Sequence, residues 1–265
     1  MPFKKTSLKS NSYKSKYNEA IFLYVYFVIV VLISWLLRLE LFSFSLLYML
    51  LPGIYFSLKQ KQAAKNILET LCFSIPFGLY VDYFARITKT WEAISFLDFK
   101  LFDVVTVEIQ FWGIAYSFLA IACYKYFFDK SISVKLSINY KKYLIVLAFA
   151  TIFFLVVIIG KMNPFLPYYY AQLNIIWISI LVLGLLRYPY LFWRIVLFGL
   201  FFLPFHLMHE ITSLELNHWY FEIGNHILYL TILNKYTFPL EEFLWLIQVM
   251  PTIAILHEYF ADDLA

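Results

Sequence analysis

Carboxylic acids and tryptophans recur together, at matching spacings, in two apolar parts of this chain. Asp82 is followed nine residues later by Trp91, and Glu210 is followed nine residues later by Trp219. A carboxyl group removed from water holds its proton more tightly, so it can protonate a substrate near neutral pH. An indole face stabilises a cation placed over it. These residue types therefore suit acid-initiated chemistry that passes through a carbocation.

A second acid and tryptophan follow in each of the two parts. Glu108 precedes Trp112 by four residues, and Glu241 precedes Trp245 by the same distance. In a helix this spacing places the acid and the indole on one face. Glu242 stands directly beside Glu241, and two neighbouring carboxyls make one of them retain its proton still longer.

Composition shows that these residues must be positioned by membrane-spanning elements. Of the 265 residues, 63% are hydrophobic, 22% are aromatic and 14% are charged, and the mean hydropathy is +0.74. Soluble domains have about 45–50% apolar and about 25% charged residues. The composition excludes a soluble enzyme, a disordered regulator and a nucleic-acid-binding protein, despite a net charge of +4.

Eight apolar segments are long enough, or nearly so, to cross a bilayer as helices. The sequence therefore predicts an all-α, polytopic membrane bundle of about eight transmembrane helices. The basic first residues are followed by no small-residue cleavage site, which indicates an uncleaved first span. The predicted spans are 21–37, 41–58, 67–85, 104–128, 143–160, 168–186, 195–211 and 237–260.

Positive charge predicts the orientation of the spans. With the N-terminus in the cytoplasm, the inner segments contain 14 Lys and Arg residues and the outer segments contain 6. Cytoplasmic loops carry the excess of such residues. We expect an integral protein of a bacterial inner or plasma membrane, with both termini in the cytoplasm. All four repeated acids then lie in the outer half of the bilayer, where a carboxyl is costly and by default indicates function.

The chain contains an internal repeat. Residues 74–91 align with residues 202–219 at an offset of 128, and beyond an insertion the offset becomes 133. The rarer residue types recur in the same order, including the prolines Pro76 and Pro204. An even number of spans in each half predicts two parallel four-helix repeats, with a shared site at their interface. The predicted divisions are a basic tail (1–20), a first repeat (21–130), a cytoplasmic linker (131–142) and a second repeat (143–265).

Each candidate residue also has a purely structural interpretation. Pro239 with Glu241 and Glu242 is typical of a helix start, where acids face the positive end of the helix dipole. The loop tryptophans Trp91 and Trp219 are typical of the aromatic belt at a membrane surface. Asp82 and Glu210 are compatible with a solvated interface as well as with a buried site.

The second half resembles the lycopene cyclase domain of the heterodimeric type, which occurs as two short subunits or as one fused chain. The residues that carry the resemblance are Glu210, Trp219, the run Pro239-Leu-Glu241-Glu242, and Trp245. The first half matches with Asp82, Trp91, Glu108 and Trp112, but Thr106 stands in place of the family's proline and Ile109 in place of its second glutamate. The resemblance covers residues 67–129 and 195–262.

The resemblance implies cyclisation of the linear ends of lycopene to β-ionone rings, without net redox change. Glu241 is the leading candidate for the acid. The candidate catalytic residues are Glu241, Glu242, Glu210, Asp82 and Glu108, and the candidate substrate-binding residues are Trp91, Trp112, Trp219, Trp245 and Pro239. We expect membrane lipid and a carotenoid or other polyene as partners, and neither a cofactor nor a nucleic acid.

Other functions are compatible with the sequence. A non-catalytic carotenoid or isoprenoid binder, or an assembly subunit, would explain why the first-half motif departs from the family pattern. An ion-coupled transporter also uses buried acids in repeated halves, whereas a membrane prenyltransferase needs Asp-rich runs that this chain lacks. His206 and His209 resemble part of a metal site, but the first half has Gly78 and Val81 at those places, and we expect no metal.

Overall fold

Eight long helices form the protein. A computed structural model describes residues 6–97, 99–129, 140–160, 167–222 and 226–260. Within these ranges, all eight helices are long and apolar enough to cross a membrane, which confirms the predicted all-α polytopic bundle. The helices are α1 (Thr6–Leu37), α2 (Leu41–Lys59), α3 (Ala63–Ile87), α4 (Val107–Phe128), α5 (Tyr140–Ile159), α6 (Tyr169–Arg187), α7 (Phe192–Glu215) and α8 (Leu240–Phe260).

The outer surface of the bundle is apolar, as a lipid environment requires. Phe149 is 72% exposed and Leu36 is 81% exposed. Soluble monomers rarely expose large continuous apolar patches, whereas acyl chains cover such a surface without penalty. The protein is therefore an integral membrane protein. Which end faces the cytoplasm stays a prediction from the charge distribution.

The ends of α3 and α7 have the same backbone geometry. Each ends in a residue in the left-handed region, Lys89 (φ 56°) after α3 and Asn217 (φ 57°) after α7. The next amide of each segment bonds back to the last turn, from Thr90 N to the Ala85 carbonyl and from His218 N to the Ser213 carbonyl. This is the Schellman arrangement, which satisfies helix carbonyls that would otherwise lack donors.

The helices of the two predicted repeats pack in a crossed pattern. Helix α1 packs on α7, α5 packs on α3, and α4 contacts α8 between them. Within each predicted repeat the third helix packs on the fourth and the second on the fourth. Helices α1 and α5 therefore each pack on a helix of the opposite repeat.

Short strands, which the sequence analysis did not predict, cover one end of the bundle. Strands β1 (Trp91–Ala93) and β4 (Trp219–Phe221) pair antiparallel, with Glu92 opposite Tyr220 and Trp91 opposite Phe221. Residues 92 and 220 are related by the offset of 128, so a local two-fold axis passes between them. Two hairpins flank this pair, β2 (Lys100–Leu101) with β3 (Val105–Thr106) and β5 (Tyr229–Ile232) with β6 (Tyr236–Pro239).

The largest core lies between α1, α2, α4, α7 and α8, and aromatic rings fill it. Phe205 on α7 contacts Tyr24 and Phe27 on α1, with ring centroids 4.1 and 4.5 Å apart. Phe27 in turn contacts Tyr48 on α2 at 4.4 Å. In all of these pairs the rings are tilted relative to one another, a geometry that aromatic quadrupoles favour over a face-to-face sandwich.

Some predicted boundaries differ from the helices. Helix α1 begins at Thr6, so most of the basic tail assigned to 1–20 continues the first helix. The linker assigned to 131–142 lies mainly outside the described residues, and α5 begins at Tyr140. The predicted spans 67–85 and 195–211 are shorter than α3 and α7, because both helices continue to the capped turns described above.

Candidate functional site

A cavity of about 750 Å³ lies between α3, α4, α5, α6 and α8. It extends from Tyr170 near the start of α6 to Arg187 at its end, which corresponds to about 26 Å along the helix axis at 1.5 Å per residue. Its wall is mostly aromatic and aliphatic. The cavity therefore has the shape and surface of a site for a long apolar molecule.

Asp82 lines the strand-covered end of this cavity and is held by a cation. The Arg86 guanidinium, one helical turn further along α3, donates to the Asp82 carboxylate at 2.9 Å. The Trp91 indole N–H donates to the other carboxylate oxygen at 3.2 Å. Arg86 also donates to the Thr106 hydroxyl at 3.1 Å. The adjacent Arg86 guanidinium thus neutralises the charge of the Asp82 carboxylate.

Glu242 lines the same end of the cavity from α8 and has a different environment. The phenol of Tyr170 on α6 donates a hydrogen bond to it, and no cation pairs with it among the described residues. Asn174, one turn below Tyr170, donates to the Tyr170 and Glu241 carbonyls at 3.0 Å each. Gln248 on α8 donates to Asn174. This polar ladder fixes α6 against α8 and so fixes the carboxyl of Glu242.

Glu210 is fully buried behind the cavity wall rather than in it. The Trp219 indole N–H donates to its carboxyl at 3.1 Å, which matches the bond between Trp91 and Asp82 in the other repeat. Leu214 occupies the position that corresponds to Arg86, so Glu210 lacks the neighbouring cation. Among the described residues no cation pairs with Glu210 or with Glu242, although both carboxyls are buried.

Glu108 and Glu241 hold loops in place. The Glu108 carboxyl accepts hydrogen bonds from the amides of Phe96 and Leu97, at 2.9 and 2.8 Å. The Glu241 carboxyl accepts a bond from the Ile227 amide at 2.7 Å. Neither side chain lines the cavity. Their geometry is that of acids at helix starts that anchor the preceding loop, the structural alternative stated above for Glu241.

All four predicted tryptophans line the cavity: Trp91, Trp112, Trp219 and Trp245. Trp112 and Trp219 meet edge to face with ring centroids 5.8 Å apart, and Trp245 meets Trp177 at 5.2 Å. Pro239, by contrast, is buried at the end of β6 and does not line the cavity. The structure thus brings together the indoles and the carboxyls of Asp82 and Glu242.

The histidines of α7 form hydrogen bonds with α4 and α8. The Trp112 indole N–H donates to His209 Nε2 at 3.2 Å. His206 Nδ1 lies 2.6 Å from the Leu246 carbonyl, so that nitrogen carries the proton and Nε2 accepts from the Tyr116 hydroxyl at 2.7 Å. Both lone pairs are used, and the described residues contain no group of three metal-binding side chains.

Three residues that the sequence analysis did not assign to the site complete it. Arg86 had a signal, because the spacing from Asp82 to Arg86 is that of an ion pair on one helix face. Trp177 lines the wall midway along α6, where a single indole gives no pattern. Tyr170 stands in a run of three tyrosines, and only the fold shows which one contacts Glu242.

The fold and the cavity define a class, a helical integral membrane protein with an aromatic-lined intramembrane cavity that contains carboxyl groups at one end. No protein-family model, curated protein or solved structure matches the chain.

Proposed function

We propose that this protein cyclises the ends of a linear polyene by acid-initiated, non-redox chemistry, as the resemblance to lycopene cyclase domains implies for lycopene. One observation carries the proposal. A long apolar cavity brings together, at its strand-covered end, an acid with no paired cation among the described residues, a carboxylate paired with Arg86, and four indoles.

Glu242 is the proton donor in this proposal. A donor must hold its proton until the substrate is bound, and the buried Glu242 contacts a phenol and has no paired cation among the described residues. Asp82 is unsuited to this role because Arg86 stabilises its charged form. The proposal therefore transfers the leading role from Glu241, which anchors a loop, to the adjacent residue on α8.

The reaction is balanced in protons and electrons and needs no co-reactant. Glu242 gives a proton to the terminal double bond of the polyene and leaves a tertiary carbocation. A second double bond of the chain attacks this cation, so that a carbon–carbon bond forms and the ring closes. The ring then loses a proton to the Glu242 carboxylate. The indoles and the Asp82 carboxylate stabilise the cation between these steps.

The test is pigment conversion in a bacterial host that accumulates lycopene. We expect chromatography to show cyclised products for the wild-type chain. Glu242→Gln preserves the shape of the site and removes the acid, and we expect turnover to fall by about 10²–10⁴-fold. Glu215→Gln is the matched control, since Glu215 lies at the same end of the bundle, pairs with Lys235 and is outside the cavity.

A binding protein that holds a carotenoid without converting it is the second candidate. The observation that favours it is the first-half site, where Glu108 is bound by loop amides and Ile109 replaces a second acid. Protein purified with unchanged lycopene, from cells that form no cyclised product, would support this function over the cyclase. Equal conversion by wild type and Glu242→Gln would contradict the assigned acid.

A further inference from the structure

The exposed part of the cavity wall lies on one side and near one end. Most wall residues are buried or half-buried, but Val146 on α5 is 62% exposed and Leu183 on α6 is 66% exposed, although both line the cavity. Arg187, at the end of α6, is also exposed and lines the cavity. The cavity is partly open to the surface, and the exposed residues of its wall mark the opening, so these three residues define a portal.

The portal faces the hydrocarbon region of the bilayer. Val146 and Leu183 lie five and four residues from the nearer ends of their spans, which is about 6–8 Å at 1.5 Å per residue. Their neighbours on the outer surface, Ile145 and Leu186, are 58% and 71% exposed and apolar. The opening is therefore surrounded by side chains that contact acyl chains, with Arg187 at the level of the lipid headgroups.

The packing of α5 explains why an opening exists here. Helix α5 is joined to α3 by Tyr143, which donates to the Cys72 carbonyl at 2.6 Å, and by the Tyr80–Thr151 hydroxyl pair at 2.7 Å. Its main contacts are with α3 and α8, and its contacts with its sequence neighbour α6 are weaker still. The gap between α5 and α6 is therefore the least tightly packed side of the cavity.

The opposite end is covered. Strands β1 and β4 lie across it, and their Trp91 and Trp219 side chains form part of the cavity wall. In the part of the chain that the structure describes, every wall residue at that end is buried or half-buried. The described residues thus leave water on the strand side no broad route to the cavity.

We propose that the cavity receives its ligand sideways from the bilayer, through the portal between α5 and α6, and that the ligand is a chain-like molecule dissolved in the lipid. The leading end of the ligand moves toward Glu242 at the strand-covered end of the cavity. The trailing end stays at the portal beside Arg187, in the half of the bilayer away from the strands. This inference extends the proposed function by naming the route and the orientation, but it also applies to a non-catalytic binder.

The experiment uses an apolar aryl diazirine dissolved in liposomes that contain the full-length protein. Light attaches the probe to whatever it contacts, and mass spectrometry measures its attachment to Trp112 and Tyr116 deep in the wall. Val146→Trp and Leu183→Trp place an indole across the portal. We expect each to reduce attachment at both deep residues severalfold.

Ile145→Trp and Leu186→Trp are the matched controls, because they add the same bulk to the same lipid-exposed helices beside the portal. We expect attachment equal to that of the wild type. A fall in all four variants, or in none, would overturn the portal. Strong labelling of the deep residues by a water-soluble diazirine added outside the vesicles would instead show access from water, which also contradicts the proposal.

Because the probe is not a substrate, the outcome does not depend on catalysis. A chain that shows the expected labelling pattern but leaves lycopene unchanged would retain the portal and lose the cyclase function. A chain that cyclises lycopene at wild-type rate with both portal positions changed to tryptophan would retain the function and lose the portal.

Discussion

The surroundings of α3 and of α7 differ, although the two helices share a proline position and the same capped end. Phe205 on α7 is 1% exposed and packs among Tyr24, Phe27 and neighbouring rings. Phe77, its counterpart on α3 at the offset of 128, is half-buried, lines the cavity and meets Trp177 edge to face at 4.7 Å. The same helix position thus serves a filled core on one side and an open cavity on the other.

The difference arises from the helix that packs against each of them. Helix α1 sends Leu23, Phe27 and Val30 into the core, all at most 4% exposed. Helix α5 lines the cavity with Tyr143, Val146, Leu147 and Ala150, and these side chains do not fill its interior. The equivalent positions on α3 and α7 therefore face different surroundings, an open cavity for α3 and a packed core for α7.

The first prediction, with the largest expected effect, concerns the ion pair that only the cavity side has. Arg86→Leu copies the α7 sequence, where Leu214 stands, and leaves the Asp82 charge buried without its partner. We expect the free energy of unfolding in detergent to fall by about 3–5 kcal/mol. The double variant Asp82→Asn/Arg86→Leu should recover most of it, and an Arg86→Leu protein as stable as wild type would show that Asp82 is uncharged.

The second prediction compares the two matched phenylalanines. Phe205→Ala empties part of a filled core and should cost about 3–5 kcal/mol of unfolding free energy. Phe77→Ala only enlarges an existing cavity, so its cost should be clearly smaller. Thermal unfolding of the two variants in the same detergent measures the difference. Equal costs would mean that the cavity side is packed as tightly as the core.

The third prediction concerns a substitution that partly fills the cavity. A Cβ added at Gly113 meets no other atom within 4 Å, whereas Leu246 occupies the corresponding position on α8. Gly113→Leu should place its side chain in the cavity and reduce polyene binding severalfold. Unfolding stability should be unchanged or higher, because glycine inside a helix costs about 1 kcal/mol relative to alanine. Undiminished binding, measured by pigment absorbance of the purified protein, would contradict the position of the cavity.

The fourth prediction, with the smallest expected effect, concerns the pH dependence of stability in residues 226–232, near the β1–β4 strand pair. Burial lowers the pKa of His226, against smaller opposing effects of the hydrogen bond to the Thr90 carbonyl and of Glu241. A histidine held neutral in the folded state stabilises it above the pKa of an exposed histidine, about 6.5, and this contribution is lost as the pH falls.

Hydrogen exchange of residues 226–232, expressed as protection relative to the intrinsic exchange rate at each pH, measures this effect, and the protection should fall below that pH. His226→Gln should reduce the pH dependence there. His218, whose pKa burial also lowers, would retain its own contribution near the Leu39 carbonyl. Protection that rises on acidification would contradict the predicted sign.

Hydropathy was sufficient to predict the eight helices, because a bilayer requires long apolar segments and penalises charge within them. It could not predict β1 and β4, since three-residue strands exist only through pairing across 128 residues of chain. The capped turns after α3 and α7 could not be predicted from the sequence either. Lys89 adopts a left-handed conformation there that sequence patterns associate with glycine.

The residue types of the candidate site could be predicted from the sequence, but not which of two adjacent acids faces the cavity. Asp82, Glu242 and the four indoles lie together, whereas the repeat singled out Glu241, which is adjacent to Glu242 and identical in type. Successive helix residues point about 100° apart, so only the rotation of α8 decides which carboxyl faces the cavity. That rotation depends on Asn174 and Gln248, polar residues with no pattern in the sequence.

The crossed packing of α1 on α7 and α5 on α3 has a consequence for folding. The first helix of each set of four packs on a helix of the other set, and β1 pairs with β4 across the two sets. Either set alone would leave a strand edge unpaired and a helix face uncovered. The two halves of the chain should therefore fold as one cooperative unit rather than as two independent domains.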